Sequence, residues 1–186
     1  GLSGTALFTQ IAGAHTADQM IIASNLGSHG TFQIQGGALN LTLANSLIVG
    51  SLGAGTFTQS GGTVSANSAF IGDGIAGGAF LITGGTFNAT GVVLGDIGTG
   101  NATQQGGTVS VTGLFEAGGL SSAKGTYTLL NGSFSAASEI IGDNGAGTFN
   151  QSGGTNSTGT ITVAKNATSV GTYLLSGGTL NINNSL

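Results

Sequence analysis

The sequence of 186 residues contains no cysteine, proline, tryptophan or arginine, and only 4% of its residues are charged. The absence of cysteine excludes a disulfide framework and a zinc site with thiolate ligands. Two lysines, Lys124 and Lys165, are too few for the basic surface that binds nucleic acids or anionic membranes. The longest apolar runs, such as Met20-Ile21-Ile22-Ala23, fall far short of a membrane span. We therefore expect neither nucleic-acid binding nor membrane insertion.

Glycine is abundant instead, with 38 residues, and it is arranged in a repeat. The pattern is clearest at Gly55-Thr56-Phe57-Thr58-Gln59-Ser60-Gly61-Gly62-Thr63-Val64-Ser65. Its equivalents follow at offsets of 24, 25, 23, 22, 25, 22 and 24 residues, beginning at Ala6, Gly30, Gly55, Gly78, Gly100, Gly125, Gly147 and Gly171. This period is typical of a solenoid in which each unit stacks on the next. We expect residues 1–186 to form one such domain.

Each unit opens with an alternating segment such as Thr56-Phe57-Thr58-Gln59, which predicts a half-buried strand with its aromatic ring inside. Equivalent residues of parallel coils lie about 4.8 Å apart, so like side chains stack in a ladder. The predicted core ladder, interrupted at Ala102, consists of Phe8, Phe32, Phe57, Phe80, Tyr127, Phe149 and Tyr173.

A glycine pair follows this segment in most units and predicts a corner, because glycine adopts the positive φ of a tight turn. The predicted corner glycines are Gly36, Gly37, Gly61, Gly62, Gly84, Gly85, Gly106, Gly107, Gly153, Gly154, Gly177 and Gly178. A phosphate-binding loop is the alternative interpretation. It is disfavoured because neither a strand-to-helix transition nor a Gly-Lys-Ser/Thr sequence follows the pair.

The second segment of each unit, such as Thr63-Val64-Ser65-Ala66, alternates in the same way. Its inward column, Leu39, Val64, Phe87, Val109, Phe134 and Leu180, is interrupted by Asn156, which the repeat does not explain. Its outward positions form a candidate interaction face made of Thr63, Ser65, Thr86, Asn88, Thr108, Ser110, Thr155 and Thr179.

A third strand is predicted at segments such as Leu47-Ile48-Val49 and Ala69-Phe70-Ile71. Both of its faces are apolar, which indicates burial on both sides. One face belongs to the core. The other is expected to meet another molecule or the loops that follow, through Leu52, Ile75, Ile97 and Leu120.

A longer period lies two residues after the aromatic column, where glutamine and an aliphatic residue alternate. The column is Gln10, Ile34, Gln59, Ile82, Gln104, Leu129, Gln151 and Leu175. One interpretation buries the glutamines, whose amides must then bond to backbone groups at the glycine corner. The other turns the strand outward and exposes the aliphatic residues as a ridge.

The residues that could carry chemistry are sparse. His15 and His29 lack a cluster of other ligands, so we expect surface loop histidines rather than a metal site. Asp73, Asp96 and Asp143 share one column after a glycine and predict turn caps, with a calcium site as the alternative. The remaining carboxylates and lysines, including Glu116 and Glu139, share no position, and no Ser-His-acid arrangement can be argued. We expect no enzyme activity and no cofactor.

The run Ile141-Gly142-Asp143-Asn144-Gly145-Ala146-Gly147-Thr148-Phe149, followed by Gly153-Gly154-Thr155, resembles the repeats of bacterial autotransporter passengers. It also resembles the repeats of surface proteins with the PEP-CTERM sorting signal. The resemblance covers nearly the whole chain, with residues 9–28 and 112–124 fitting loosely. It implies an exported, parallel β-helical protein of the cell surface or extracellular matrix.

These observations predict an all-β fold, a right-handed parallel β-helix (β-solenoid) of seven to eight coils of 22–25 residues with three short strands per coil. Neither end shows a polar capping unit, so we expect open sheet edges. The expected function is that of an extracellular structural protein whose rods associate end to end with copies of themselves. An adhesin or passenger segment that binds glycans or surfaces through the Thr/Asn face is the alternative. Ice binding by outward threonines such as Thr31, Thr56 and Thr126 is a third hypothesis.

Overall fold

The computed structural model describes residues 4–183. These residues contain no helix, and therefore none of the length and apolarity that a membrane span requires. In chain order the strands are β1 (Thr5–Gln10), β2 (Ala14–Ala17), β3 (Met20–Ile22), β4 (His29–Ile34), β5 (Ala38–Leu41), β6 (Leu47–Val49), β7 (Ala54–Gln59), β8 (Thr63–Ile71), β9 (Gly78–Ile82), β10 (Thr86–Leu94), β11 (Thr99–Gln104), β12 (Thr108–Ala117), β13 (Lys124–Leu129), β14 (Ser133–Ile141), β15 (Ala146–Gln151), β16 (Thr155–Val163), β17 (Val170–Leu175) and β18 (Thr179–Ile182).

The strands form two parallel sheets that wrap one interior. The eight-stranded sheet runs β1-β4-β7-β9-β11-β13-β15-β17, and the ten-stranded sheet runs β18-β16-β14-β12-β10-β8-β5-β2, with β3 and β6 beside it. We number the coils one to eight by the strands of the eight-stranded sheet that open them. Within residues 4–183, seven complete coils are followed by two strands of an eighth. The predicted all-β parallel β-solenoid is confirmed, and its right hand stays a prediction.

The register of the strands reproduces the repeat of the sequence. The start positions pair in one continuous line from Ala6 through Gly30, Gly55, Gly78, Gly100, Gly125 and Gly147 to Gly171. Each repeat unit is therefore one coil, and each column of the sequence is a physical stack of side chains.

The prediction of three strands per coil is right for the first two coils and wrong for the third to seventh. There the second and third segments join into one long strand, such as β8. Val64 and Ala66 face inward at its start and Ala69 and Ile71 at its end, so the inward positions shift and the strand bends around the interior. No glycine lies between these segments in β8, and the backbone pairing to β10 continues through the bend.

The aromatic column forms the centre of the core. Phe8 and Phe32 stack with their ring centroids 5.0 Å apart, and Phe149 stacks on Tyr173 at 4.8 Å. At the gap left by Ala102, the ring of Phe115 enters from the opposite sheet and meets Tyr127 edge to face at 5.4 Å. A large residue on one sheet thus compensates for a small one on the other, which keeps the interior closely packed.

The second glycine of each corner has a positive φ, for example +70° at Gly62 and +80° at Gly85. A Cβ at Gly62 would lie 2.6 Å from the carbonyl oxygen of Gly37 in the preceding coil. Glycine is therefore needed at these corners for two reasons, the backbone conformation and the close approach of the coil beneath.

The loops do not cover the outer face of the third segment, which was one of the two predictions for it. Ile48, Phe70 and Val93 are only half-buried on this face. The loop residues expected to cover them, including Leu52 and Ile75, project into solvent instead. No described loop buries this apolar face, and its contact with another molecule stays a prediction.

Candidate functional site

The interior holds glutamine in alternate coils. Gln59, Gln104 and Gln151 are fully buried and Gln10 nearly so, while Ile34, Ile82 and Leu129 fill the coils between them. The buried interpretation of this column is confirmed, and the alternative, in which the strand turns outward to expose an aliphatic ridge, is wrong. Leu175, in the eighth coil, is the exception and is 48% exposed.

Each buried amide bonds to the backbone at the glycine corner, as the sequence predicted. Nε2 of Gln104 donates to the carbonyl of Gly107 at 3.2 Å in its own coil and to that of Ser133 at 2.9 Å in the next coil. Gln10, Gln59 and Gln151 make equivalent pairs of bonds. The glutamines therefore join neighbouring coils at the point where the backbone turns.

The side-chain carbonyl oxygens of the glutamines differ in whether they accept a hydrogen bond. Oε1 of Gln104 accepts a hydrogen bond from the hydroxyl of Tyr127 at 2.6 Å, and Oε1 of Gln151 accepts one from Tyr173 at 2.7 Å. Oε1 of Gln10 and of Gln59 are buried without a partner. The coils that follow them carry Phe32 and Phe80, which have no hydroxyl to donate.

A second polar group lies in the core between the sixth and eighth coils. Glu139, on β14, is fully buried in the column that Phe115 occupies in the coil before and Ile161 in the coil after. Asn156 and Thr158, on β16, are buried beside it. Neither oxygen of the Glu139 carboxyl has a partner, and Oδ1 of Asn156 is also unpaired.

The donors near this carboxyl make their hydrogen bonds of good geometry to other groups, so they stabilise its charged form only in part. Nδ2 of Asn156 donates to the hydroxyl of Tyr173 at 3.1 Å, and Oγ1 of Thr158 donates to the carbonyl of Thr160 at 3.1 Å. Burial raises the pKa of Glu139 to about 7, and the neighbouring Asn156 and Thr158 lower it only in part. Burial is also the main cause that raises the pKa of Tyr173 to about 12, with Glu139 contributing.

Sequence reasoning missed this cluster. It treated Glu139 as one of several carboxylates that share no position, and it left Asn156 without explanation. The signal was present in the repeat, because both positions belong to columns that are apolar in almost every other coil.

The candidate interaction face exists as a continuous surface. Thr63, Thr86 and Thr108 pair in register, followed by Thr155 and Thr179 in later coils. Ser65, Asn88 and Ser110 form the adjacent column, two residues further along the strands. All eight side chains are exposed or half-buried on the outer face of the ten-stranded sheet.

The outward threonines of the eight-stranded sheet also align, but they do not form an uninterrupted array. Thr31 pairs with Thr56 in one part of the column, and Thr148 pairs with Thr126 and Thr172 in another. Ala79 and Asn101 occupy the column between these two groups.

The acidic column follows the third segment at the edge of the solenoid. Burial raises the pKa of Asp73, with a further contribution from the charge of Asp96. Asp143 pairs with Lys165 at 2.8 Å. No group of three or more His, Asp or Glu side chains within residues 4–183 is placed to hold a metal ion. The turns are held by backbone bonds between coils, such as Asp96 N to Gly72 O at 3.2 Å.

The two histidines lie on strands, so the prediction of loop positions is wrong, whereas the predicted surface position is right for His29. His29 opens β4 and is exposed. His15 lies on β2 in register with the inward residue Leu39, and its ring is 6.1 Å from that of Phe8. It occupies the inward column of the first coil and is half-buried there.

The first and eighth coils present inward columns that are partly open. Phe8 is 51% exposed, although Phe32, Phe57 and Phe80 of the same column are buried. An apolar hollow of about 390 Å³ lies at the first coil, lined in part by Phe8, His15 and Met20. At the other end the inward Leu175 is similarly open.

No protein-family model matches this chain. No curated protein and no solved structure matches it significantly either. The resemblance to autotransporter passengers and PEP-CTERM surface proteins therefore depends on the repeat motifs alone.

Proposed function

We propose that this chain is an extracellular structural protein whose solenoid rods associate end to end into a surface or matrix filament. The observation that carries the proposal is the pair of open coil faces. Phe8 and Leu175 are inward residues with 51% and 48% exposure, whereas their equivalents in the second to sixth coils are buried. Apolar surface of this kind is stabilised when another coil covers it.

The columns of the two faces continue one another. Stacking the first coil of one rod on the eighth coil of another places Phe8 over Tyr173 and Gln10 over Leu175. Because Gln10 and Leu175 are the residues that meet, glutamine and aliphatic residues keep alternating across such a joint. The edge strands β17 and β1 then pair as neighbouring coils do within one chain.

The surface chemistry supports the same proposal. With only 4% charged residues, the coil faces carry few groups whose charge would oppose burial in a joint. A charge-poor surface rich in Gly, Ser, Thr and Asn also suits an exported protein, in keeping with the family resemblance. Copies of the same chain are the proposed partners.

The proposal is tested by electron microscopy of the 186-residue chain over a range of concentrations. We expect rods longer than one chain, lengthening with concentration, with an advance of about 38 Å per chain for eight coils at about 4.8 Å each. Rods of single-chain length at every concentration would overturn the proposal.

A matched pair of variants locates the contact. Phe8→Lys places a charge on the open face of the first coil and should shorten the filaments. Ile75→Lys is the control, because Ile75 is 70% exposed but lies in a loop on the side of the rod. Filaments lost equally in both variants would indicate a lateral contact instead. Circular dichroism checks that both variants keep their strands.

A second candidate function is glycan or surface binding through the candidate interaction face. It is favoured by the in-register columns of hydroxyl and amide groups, of which Thr63 and Thr108 are exposed. Glycan-array binding that disappears when Thr63, Thr86 and Thr108 are replaced together by lysine, with filaments preserved, would support it. A wild-type chain that binds no glycan or surface would exclude it.

A further inference from the structure

The buried carboxyl of Glu139 has no counterpart in the same column of the neighbouring coils. Its column holds apolar residues in the neighbouring coils, Phe115 before it and Ile161 after it. An ionised carboxylate without donors is among the least favourable groups to bury. The side chain of Glu139 is fully buried and neither of its carboxyl oxygens has a hydrogen-bond partner, so the site favours the neutral acid over the carboxylate.

The neighbours of Glu139 are suited to the neutral acid. A protonated carboxyl carries an O–H donor, and the unpaired Oδ1 of Asn156 is an acceptor in the same cluster. A proton on Glu139 supplies a donor inside this cluster, whose own donors already bond to Tyr173 and Thr160. An added negative charge supplies no donor, and the side chains of Asn156 and Thr158 offset the cost of its burial only in part, so the pKa of Glu139 stays raised.

The cluster connects three coils. Glu139 lies in the sixth coil, and Asn156 and Thr158 lie in the seventh. Asn156 donates to the hydroxyl of Tyr173 in the eighth coil, and this hydroxyl in turn donates to Gln151 in the seventh at 2.7 Å. A change at Glu139 thus reaches the side chains that attach the eighth coil to the seventh.

The groups that face Glu139 from the packed elements carry no compensating positive charge. Tyr127 on β13 and Tyr173 on β17 are the titratable groups that interact with it, and both keep their protons because burial raises their pKa. The charged residues of the same region, Glu116 and Asp143, lie on the outer face and in the turn. Lys165 is paired with Asp143 on the surface.

We propose that Glu139 is a proton-operated latch for the seventh and eighth coils. In the protonated form the two coils pack closed over the core. Ionisation of Glu139 opens them, because the carboxylate recruits water that the closed interior excludes. For filament assembly, this inference rests on the proposed function. The open face that carries Leu175 would keep its ordered structure only while Glu139 is protonated.

The latch is tested on dilute single rods by hydrogen exchange, with protection factors corrected for the intrinsic effect of pH. With a closed-state pKa of about 7 against an ordinary value of 4.5, protection of β16 and β17 should fall on the order of a hundredfold between pH 4.5 and pH 7.5. Protection of β7 and β8 should be constant. Glu139→Gln, which keeps the shape without the charge, should remove the pH dependence.

Glu116→Gln is the matched control, since it removes an outward carboxylate at a neighbouring position and should leave the response intact. A Glu139→Gln variant with the wild-type response, or equal loss of protection in β7, would overturn the latch. If that variant does not fold, carbon NMR of the wild-type carboxyl decides the question. A carboxyl already ionised at pH 5 would exclude the latch, and one protonated to above pH 6 would support it.

Assembly gives a separate readout. Filaments present at pH 5 and shortened at pH 8, with no shortening in Glu139→Gln, would link the latch to the joint. Filaments absent at every pH, together with the expected exchange pattern, would reject end-to-end assembly while leaving the latch supported.

Discussion

The hydroxyl of Tyr127 donates to Oε1 of Gln104 across 2.6 Å, from the sixth coil to the fifth. Both residues are fully buried, so water cannot replace the bond. The second tyrosine of the chain, Tyr173, makes the same bond to Gln151. Every tyrosine of the sequence thus follows a glutamine by one coil, which shows that the aromatic and glutamine columns are chemically coupled.

Replacing Tyr127 by phenylalanine should destabilise the protein. The ring stays, but Oε1 of Gln104 loses its donor in a buried position, a loss of about 1–3 kcal/mol in the free energy of unfolding. Urea denaturation measures the change. Tyr173→Phe is the comparison and should have a smaller effect, because Tyr173 is only half-buried. Equal and negligible effects of both substitutions would contradict the role of the bond.

Adding a tyrosine where the glutamine lacks a partner should do the opposite. Phe80→Tyr places a hydroxyl near the unpaired Oε1 of Gln59 and should stabilise the protein by about 1 kcal/mol. Phe57→Tyr is the matched control, since the preceding coil carries Ile34 and offers no acceptor. The control should be destabilised. Thermal unfolding of the two variants side by side decides between them, and the same sign in both would refute the coupling of the columns.

The corner glycines should tolerate no side chain. Gly62→Ala requires a positive φ from alanine and a Cβ at 2.6 Å from a carbonyl oxygen. The expected loss is at least about 2 kcal/mol, since the left-handed conformation alone costs about 1–2 kcal/mol. Gly91→Ala is the control: the nearest atoms lie 3.6 Å from its Cβ, and it should be near neutral. Melting temperatures measure both, and a mild effect at Gly62 would show that the corners can rearrange.

The stability of the chain should depend on pH through Glu139. Its pKa is about 7 when folded and near 4.5 when unfolded, so between these values the folded state binds the additional proton. Stability is therefore greatest at or below about pH 4.5 and falls as the pH rises to about 7, by roughly 3 kcal/mol from this group. Burial also raises the pKa of Asp73, Asp96 and Glu116, which act in the same direction.

Urea denaturation at pH 4.5 and pH 7.5 measures this dependence. Glu139→Gln should be more stable than the wild type at pH 7.5 and lose most of the difference between the two conditions. A wild-type chain that is more stable at pH 7.5 than at pH 4.5 would contradict the assignment.

The sequence predicts the solenoid well because equivalent residues of successive repeats lie directly above one another in the structure. The columns led by Phe57 and Gln59 have fixed parity relative to the glycine corner. This parity favoured their burial, and burial in turn required the amides to bond at the corner, although an outward-turned strand stayed open as the alternative. Positive φ at residues such as Gly62 is likewise a local property of glycine.

What could not be predicted depends on contacts between coils. The bend in β8 contains Asn67 and Ser68, which are common in turns, so the sequence does not show that the second and third segments stay one strand. Glu139 and Asn156 each break a column, and only their proximity across two coils explains them as a pair. Likewise, Phe115 replaces the missing ring of Ala102 from another sheet, a compensation that no single column reveals.

The alternation of Gln59 with Ile82, and of Gln104 with Leu129, doubles the axial period of the interior. Backbone spacing in oriented rods would diffract at about 4.8 Å, whereas the contents of the core repeat only every second coil, at about 9.6 Å. If eight-coil rods join without breaking the alternation, this longer spacing stays coherent over the whole filament. Fibre diffraction would then show a meridional reflection at twice the strand spacing, an order that a solenoid with one residue type per column lacks.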